Sequence, residues 1–248
     1  MNVHPMLAVI PARGGSKGLP RKNVRPLCGL PLLVHSLRCA TMTKIIDRVI
    51  VSTDDAEIAD VARAHGADVP FMRPSALARD DTPMVPVLKH ALEWIEDEEA
   101  RRYESVLLLD PTSPARLPDD ITRAAEMLAA SETADGVVAC SRPSFNPFWV
   151  GVTNADGMVR RTFEPEKTYA RRQDVPKFFR VNGALYLWRR DYLLGADASW
   201  LSSGKHLMLE IPEERAFSID DERELRLLEL QVEHGFLRLP WLGEACGR

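Results

Sequence analysis

Two hydrophobic rhythms alternate along the first 140 residues of this chain: short unbroken apolar runs, and longer stretches with a helical repeat. Leu7, Ala8, Val9 and Ile10 predict a strand, and Pro31 to Thr43 then places Leu32, Leu33, Ser36, Leu37 and Ala40 on one helical face. Ile45 to Ser52 predicts a second strand. Ile58, Val61 and Ala62 mark the inner face of a helix that Gly66 stops. Val69 to Met72 reads as a short third strand broken by Arg73-Pro74, and Val85, Leu88, Leu92 and Ile95 as a helix within Thr82 to Arg101. Ser105 to Leu109 is the most continuously apolar run, as a central parallel strand covered on both faces requires. Pro118 to Ala130 predicts a helix with Asp119 and Asp120 in its first turn, where the helix dipole favours them, and Gly136 to Cys140 a further strand. The alternation predicts an α/β fold with a doubly wound, mainly parallel sheet. Its ligand site belongs at the carboxyl ends of the strands, where Arg13, Asp54 and Asp110 fall.

Between Ser141 and Arg180 the rhythm is lost. Prolines 143, 147, 165 and 176 interrupt it, and Asn154-Ala155-Asp156-Gly157 reads as a hairpin turn. Residues 141–180 are therefore expected to form a small β-rich arm. Phe145, Phe148, Trp149, Phe163 and Tyr169 give it more apolar surface than a free loop can expose, which predicts packing on a second copy of the chain, the alternative being a loose insertion folded over its own domain. Strands resume at Ala184 to Arg189 and Leu207 to Ile211, and Glu222 to His234 predicts a last helix closed by Gly235. With no repeat, low-complexity segment or linker, residues 1–248 read as a single domain into which the arm is inserted.

Composition narrows the partners. A length of 248 residues allows one large core, and the 45% hydrophobic share is ordinary for a globular protein. A net charge of −4 offers no general field for a polyanion, so nucleic acid is not an expected partner. Cys28, Cys39, Cys140 and Cys246 show neither disulfide-framework nor zinc spacing, and the six histidines show no ligand spacing. No apolar run reaches the roughly 18 residues of a membrane span, so a cytoplasmic protein without membrane contact is expected.

Candidate chemistry concentrates in the loop after the first strand. It carries Gly14, Gly15 and Gly18 with Arg13, Lys17, Arg21 and Lys22, a combination suited to phosphate: glycines let backbone N–H groups approach an anion, and the cations neutralise it. The spacing fits neither a Walker loop nor a dinucleotide-binding loop, and Pro20 prolongs it. The string Arg13-Gly14-Gly15-Ser16-Lys17-Gly18-Leu19-Pro20 followed by Lys22-Asn23 resembles the signature loop of the acylneuraminate cytidylyltransferases, the CMP-sialic acid synthetase family. Further blocks resemble that family in the same order: Val51-Ser52-Thr53-Asp54; Arg73-Pro74 with Leu77-Ala78 and Asp80; Pro111-Thr112-Ser113-Pro114; Arg180 with Asn182-Gly183-Ala184 and Tyr186; and Ile219-Asp220.

The resemblance implies a nucleotidyltransferase (glycosyltransferase-A-like) fold, a dimer, and transfer of CMP from CTP to the anomeric hydroxyl of a nonulosonic sugar acid with release of pyrophosphate. Activation of Kdo or an amino-Kdo-type acid, and a non-catalytic nucleotide-binding module, are the alternatives. It assigns Arg13, Lys17 and Lys22 to the triphosphate, Gly14, Gly15 and Ser16 to its cradle, Asn23 and Arg73 to the cytidine, and Asp220 to Mg²⁺. Arg172, Gln173, Arg180 and Asn182 match the sugar-side segment. The chain also departs from the family. Ser218-Ile219-Asp220 replaces a frequent Asp-Ile-Asp, leaving Asp221 or Asp110 to supply a second metal ligand. Asp110 replaces a glutamine before Pro-Thr-Ser-Pro, and its ionised carboxylate would repel a sugar carboxylate, so the acceptor is expected to be decorated or oriented differently. Asp81-Thr82-Pro83-Met84 stands where the family is often serine-rich.

Overall fold

The computed structural model describes residues 3–16, 18–163 and 169–243. In chain order it contains strand β1 (Met6–Pro11), a short hairpin of β2 (Pro26–Leu27) and β3 (Leu30–Pro31), helix α1 (Leu32–Met42), β4 (Arg48–Ser52), α2 (Ala56–Ala64), α3 (Met84–Glu99), β5 (Ser105–Leu108), α4 (Pro118–Ala130) and β6 (Gly136–Ser141). There follow α5 (Pro147–Val150), β7 (Val152–Ala155), β8 (Met158–Arg161), β9 (Arg180–Arg189), α6 (Arg190–Gly195), α7 (Trp200–Ser203), β10 (His206–Glu210) and α8 (Glu222–Glu233).

Six strands form the main sheet in the order β10-β6-β9-β5-β1-β4. β1 pairs in parallel with β4 and β5, and β6 with β10, while β9 runs antiparallel to both its neighbours. Side chains of a strand alternate between faces, and β1 feeds both: Met6, Ala8 and Ile10 enter the core beneath α1, α2 and α4, whereas Leu7 and Val9 enter the core beneath α3 and α6. β5 divides likewise, with Val106 and Leu108 on the α3 side and Leu107 on the other. Two covered faces are what the unbroken apolar runs demanded. A third cluster, with Leu19, Leu27, Leu32, Ile219, Leu225 and Leu228, seats α8 against the start of α1 and the loop after β1.

The expected third strand at Val69 to Met72 does not form. Only an isolated bridge joins Met72 to Thr53, because Pro70 lacks the N–H a ladder needs and Arg73-Pro74 ends the extended run at once. Phe71 instead packs on His90 and Trp94 of α3, with ring centroids 4.8 and 5.2 Å away. The second strand begins at Arg48 rather than Ile45, and β9 starts at Arg180, four residues before the predicted Ala184. The short helices α6 and α7 carry too few turns to show a repeat.

The segment expected as an arm leaves from the end of β6 and returns into β9, where Ser141 pairs with Arg180. Its regular strands among the described residues are β7 and β8, a two-stranded sheet separate from the main one, joined by Asp156-Gly157 with positive φ at both positions (53° and 81°). Otherwise the described residues of the segment hold the single helical turn α5 and a 3-10 turn at Arg172–Asp174, because Pro147 starts a helical turn and Pro143 and Pro176 interrupt strand pairing. The described part of the segment is therefore less β-rich than expected.

Candidate active site

The parallel strands β1, β4 and β5 bring the segments beginning at Arg13, Asp54 and Asp110 to one edge of the sheet. The loop after β1 is fastened there from two sides. The Gly14 N–H donates to Asp54 (3.1 Å), and Arg21, at φ 56°, donates to both oxygens of Asp55 (2.6 and 3.1 Å) and also to Glu57. Asp55 in turn caps α2 by accepting the Ile58 N–H at 3.0 Å. A Cβ on Gly14 would meet the Asp55 carboxylate at 2.5 Å, and one on Gly18 would meet the Asp220 carbonyl oxygen at 2.3 Å. Both glycines are therefore set by close approach, while nothing lies within 4 Å of a Cβ at Gly15.

Beside this loop lies a cleft of about 490 Å³. Arg13, Ser16, Lys22, Asn23, Arg73, Asp110 and Asp220, all expected at the site, line it, as do Gly18, Arg79, Asp80 and Thr112. Of the four loop cations, Arg13 and Lys22 reach the cleft and Arg21 is spent on Asp55 and Glu57; Lys17 lies outside the described residues. Arg13 pairs with Asp80 at 2.9 Å, and Lys22 with Asp220 at 2.8 Å. Buried Asn23 donates to the Arg13 carbonyl oxygen (2.9 Å), which fixes the exit of β1.

Arg73 is buried beside the cleft, donating through Nε to the Ser52 hydroxyl (3.1 Å) and through Nη2 to the Ser52 carbonyl. Desolvation by burial pushes its guanidinium down to about 10, against the favourable charge of Asp54, and it stays protonated at neutral pH. Asp110 accepts the Thr112 N–H (3.0 Å) and hydroxyl (2.9 Å) on one oxygen, an Asx turn that starts the Pro-Thr-Ser-Pro segment. Behind it is a residue sequence reasoning passed over. Arg116 is fully buried and donates to the Ser36 hydroxyl (2.8 Å), the Ala184 carbonyl (2.5 Å) and the Asp110 carbonyl, so a cation in the core holds the strand end that presents Asp110. The only signal was its place two residues after Pro114.

The two candidate metal ligands beside α8 separate cleanly. Asp221 caps the helix, accepting the Glu224 N–H at 2.8 Å, and does not line the cleft; Asp220 lines it with a side chain 70% exposed. Among the described residues no group of three His, Cys, Asp or Glu side chains is arranged to hold a metal. Asp220 and Asp110 on one cleft still fit a hydrated Mg²⁺, which takes one or two carboxylates and fills its octahedron with water and phosphate oxygens.

Of the residues expected on the sugar side, Asp110 lines this cleft, whereas Arg172, Gln173, Arg180 and Asn182 do not. Arg180 is held by Glu213 (3.1 and 3.2 Å) and the Ala216 carbonyl (2.9 Å), and buried Asn182 bonds the Ser141 hydroxyl (2.8 Å) and accepts the Ala184 N–H (3.0 Å). Both tie β9 to its surroundings. Arg172 and Gln173 line a second cavity, of about 380 Å³, together with Arg142, Lys177, Phe145 and Phe178.

The profile of the cytidylyltransferase family matches residues 7–198, a span that includes the glycine-rich loop and Asp110. The chain belongs to the cytidylyltransferase family. It is 34% identical to the CMP-N,N'-diacetyllegionaminic acid synthase of Legionella pneumophila over 82% of this chain and 86% of that one. It is 30% identical to the N-acylneuraminate cytidylyltransferase of Escherichia coli O18:K1:H7 over 90% of this chain and 51% of that one. The acylneuraminate-type resemblance of the motifs thus holds across most of the chain. In solved structures the fold recurs in CMP:2-keto-3-deoxy-manno-octonic acid synthetase in complex with CTP, at a TM-score of 0.66 and 17% identity over 91% of this chain and 99% of that one.

Proposed function

We propose that this cytidylyltransferase moves CMP from CTP to the anomeric hydroxyl of a nonulosonic sugar acid and releases pyrophosphate, with Mg²⁺ as its metal. The observation that carries the reading is the convergence, in one cleft at the strand ends, of Arg13 and Lys22 with Asp220 and Asp110. A CTP tail bears about four negative charges, and the departing pyrophosphate gains charge in the transition state, so fixed cations beside it lower the barrier. Arg13, Lys22 and, by its place in the motif, Lys17 hold the triphosphate. Ser16 and the amides of the Gly14-Gly15 turn complete its cradle. Asp220 is the residue that would hold the metal, with Asp110 as the second carboxylate; a bound cation would supply neutralisation of the phosphate charge. Asn23 and Arg73 face the base. Catalysis then consists mainly of aligning the sugar hydroxyl with the α-phosphate and neutralising charge.

The sugar acid's carboxylate needs a cation, and the cavity of Arg172 and Arg142 offers two. Because that cavity lies in segment 141–180 while the nucleotide residues line a different one, the reading includes a two-fold homodimer in which the segment of one protomer completes the neighbour's site. Exposed apolar side chains on the hairpin support this: Val152 (55%), Met158 (67%) and Val159 (78%). Among the described residues no helix is long and apolar enough to cross a membrane, and the buried Cys39 and Cys140 are free thiols. A cytoplasmic location, where CTP is made, follows from the proposed chemistry.

The test is pyrophosphate release with Mg²⁺, each of CTP, UTP, ATP and GTP, and a panel of eight- and nine-carbon sugar acids, with light scattering in parallel. Turnover is expected with CTP and a nine-carbon acid, by a dimer. Comparable rates with all four nucleotides, or turnover of the eight-carbon acid alone, would overturn the assignment, and a monomer at micromolar concentration would remove the shared site.

A further inference from the structure

Asp80 sits on the segment between the 3-10 turn Ser75–Leu77 and α3, and it reaches the glycine-rich loop to take Arg13 at 2.9 Å. The same guanidinium nitrogen of Arg13 donates to the Arg79 carbonyl at 3.0 Å. The two charged side chains are 32% and 43% exposed, and half-solvated pairs of this kind contribute little to stability. The turn that carries Asp80 is closed by its own contacts: the Thr82 N–H donates to the Arg79 carbonyl (3.2 Å) and Arg79 pairs with Asp81 (3.2 Å). The fold has little need of the Arg13–Asp80 pair, yet both residues line the cleft. Asp220 holds Lys22 in a similar way, but Asp220 has a use as metal ligand. Asp80, on a wall with two arginines, has a charge of the same sign as the ligand.

We propose that Asp80 competes with the polyphosphate for Arg13, so that binding of the triphosphate, and release of pyrophosphate, is an exchange of one anion for another on this guanidinium. The inference rests on the phosphate-binding role of the cleft and deepens it: Asp80 sets the affinity for polyphosphate rather than orienting Arg13 toward it. A carboxylate beside the site lowers the affinity for every polyphosphate, and it retakes Arg13 as pyrophosphate leaves. An orienting carboxylate has the opposite signature, since its removal lets Arg13 swing away and weakens binding.

Calorimetric binding of CTP and of inorganic pyrophosphate, without divalent metal and at low salt, decides between them. The variants are Asp80→Asn, which keeps the shape and removes the charge, and Asp81→Asn, a neighbouring charge that pairs with Arg79 and does not line the cleft. Cytidine, which carries no phosphate, reports whether the base side is intact. Asp80→Asn is expected to bind CTP and pyrophosphate about three- to tenfold tighter, with cytidine unchanged and Asp81→Asn close to the parent protein. Unchanged or weaker binding of both polyphosphates by Asp80→Asn overturns the proposal. If CTP fails to bind the parent protein even once Mg²⁺ is added, the proposed nucleotide role of the cleft falls, while pyrophosphate still tests the exchange.

Discussion

Asp220 and Asp221 are adjacent in sequence and differ in what they hold. Asp221 accepts the Glu224 N–H and starts α8; Asp220 faces the cleft and takes Lys22, and its backbone carbonyl lies so close to Gly18 that no side chain fits there. Packing thus keeps the carboxylate in register with the loop. Asp220→Asn is expected to lower the rate by at least ~10²-fold while leaving Tm unchanged, since a side chain 70% exposed adds little to stability. Asp221→Ala should lower Tm instead, through the lost cap. Kinetics and thermal melts of the two variants check both expectations, and a near-normal rate for Asp220→Asn would move the metal to Asp110. The motif blocks pointed to Arg13, Lys22, Asn23 and Asp220, and the fold lines one cleft with all four. The blocks could not show that Arg21 turns to Asp55, 34 residues on, or that Arg180 belongs to Glu213, since those choices are made by tertiary contacts.

At the scale of elements, β1, β5 and β6 were legible because strands buried on both faces leave unbroken apolar runs. The Val69–Met72 strand was misread because four extended residues carry no information about whether a partner can bond past Pro70. The hairpin β2–β3 shows another limit. His35, on the first turns of α1, bonds the Leu27 carbonyl through Nε2 (3.0 Å) and accepts the Trp241 indole N–H on Nδ1 (3.0 Å), so the imidazole is neutral with its proton on Nε2. Trp241 is 206 residues away, which no local pattern reports. Burial pushes the His35 pKa down to about 4, below the 6.5 of a free imidazole. The unfolded chain then binds a proton that the folded one refuses. The stability contributed is complete above pH 6.5 and is lost as pH falls toward 4, at about 1.4 kcal/mol per pH unit for one such group. His90 and His206, also lowered by burial, act in the same direction. Urea midpoints measured across pH 4 to 6.5 should fall less steeply in His35→Gln than in the parent protein, and parallel slopes would contradict this account.

For the whole molecule, the parallel strands do one job above others: they deliver three loops to one edge, and the residues proposed to hold the nucleotide come from those loops, from Arg73 and from the approach to α8. The second cavity, with Arg142 and Arg172, is built by the segment inserted between β6 and β9. The separation was not legible in the sequence, where Arg172, Gln173, Arg180 and Asn182 stand close together; two of them are structural and two line the outer cavity. Reaction at the α-phosphate is the claim on which the rest depends. It is tested most directly by ³¹P NMR of the protein with CTP, Mg²⁺ and a nonulosonic acid. The account predicts loss of the three CTP resonances and growth of one phosphodiester signal and pyrophosphate in equal amounts, and a CTP spectrum that stays unaltered when Mg²⁺ is chelated. Appearance of CDP with inorganic phosphate, or no conversion of any nonulosonic acid, would contradict it.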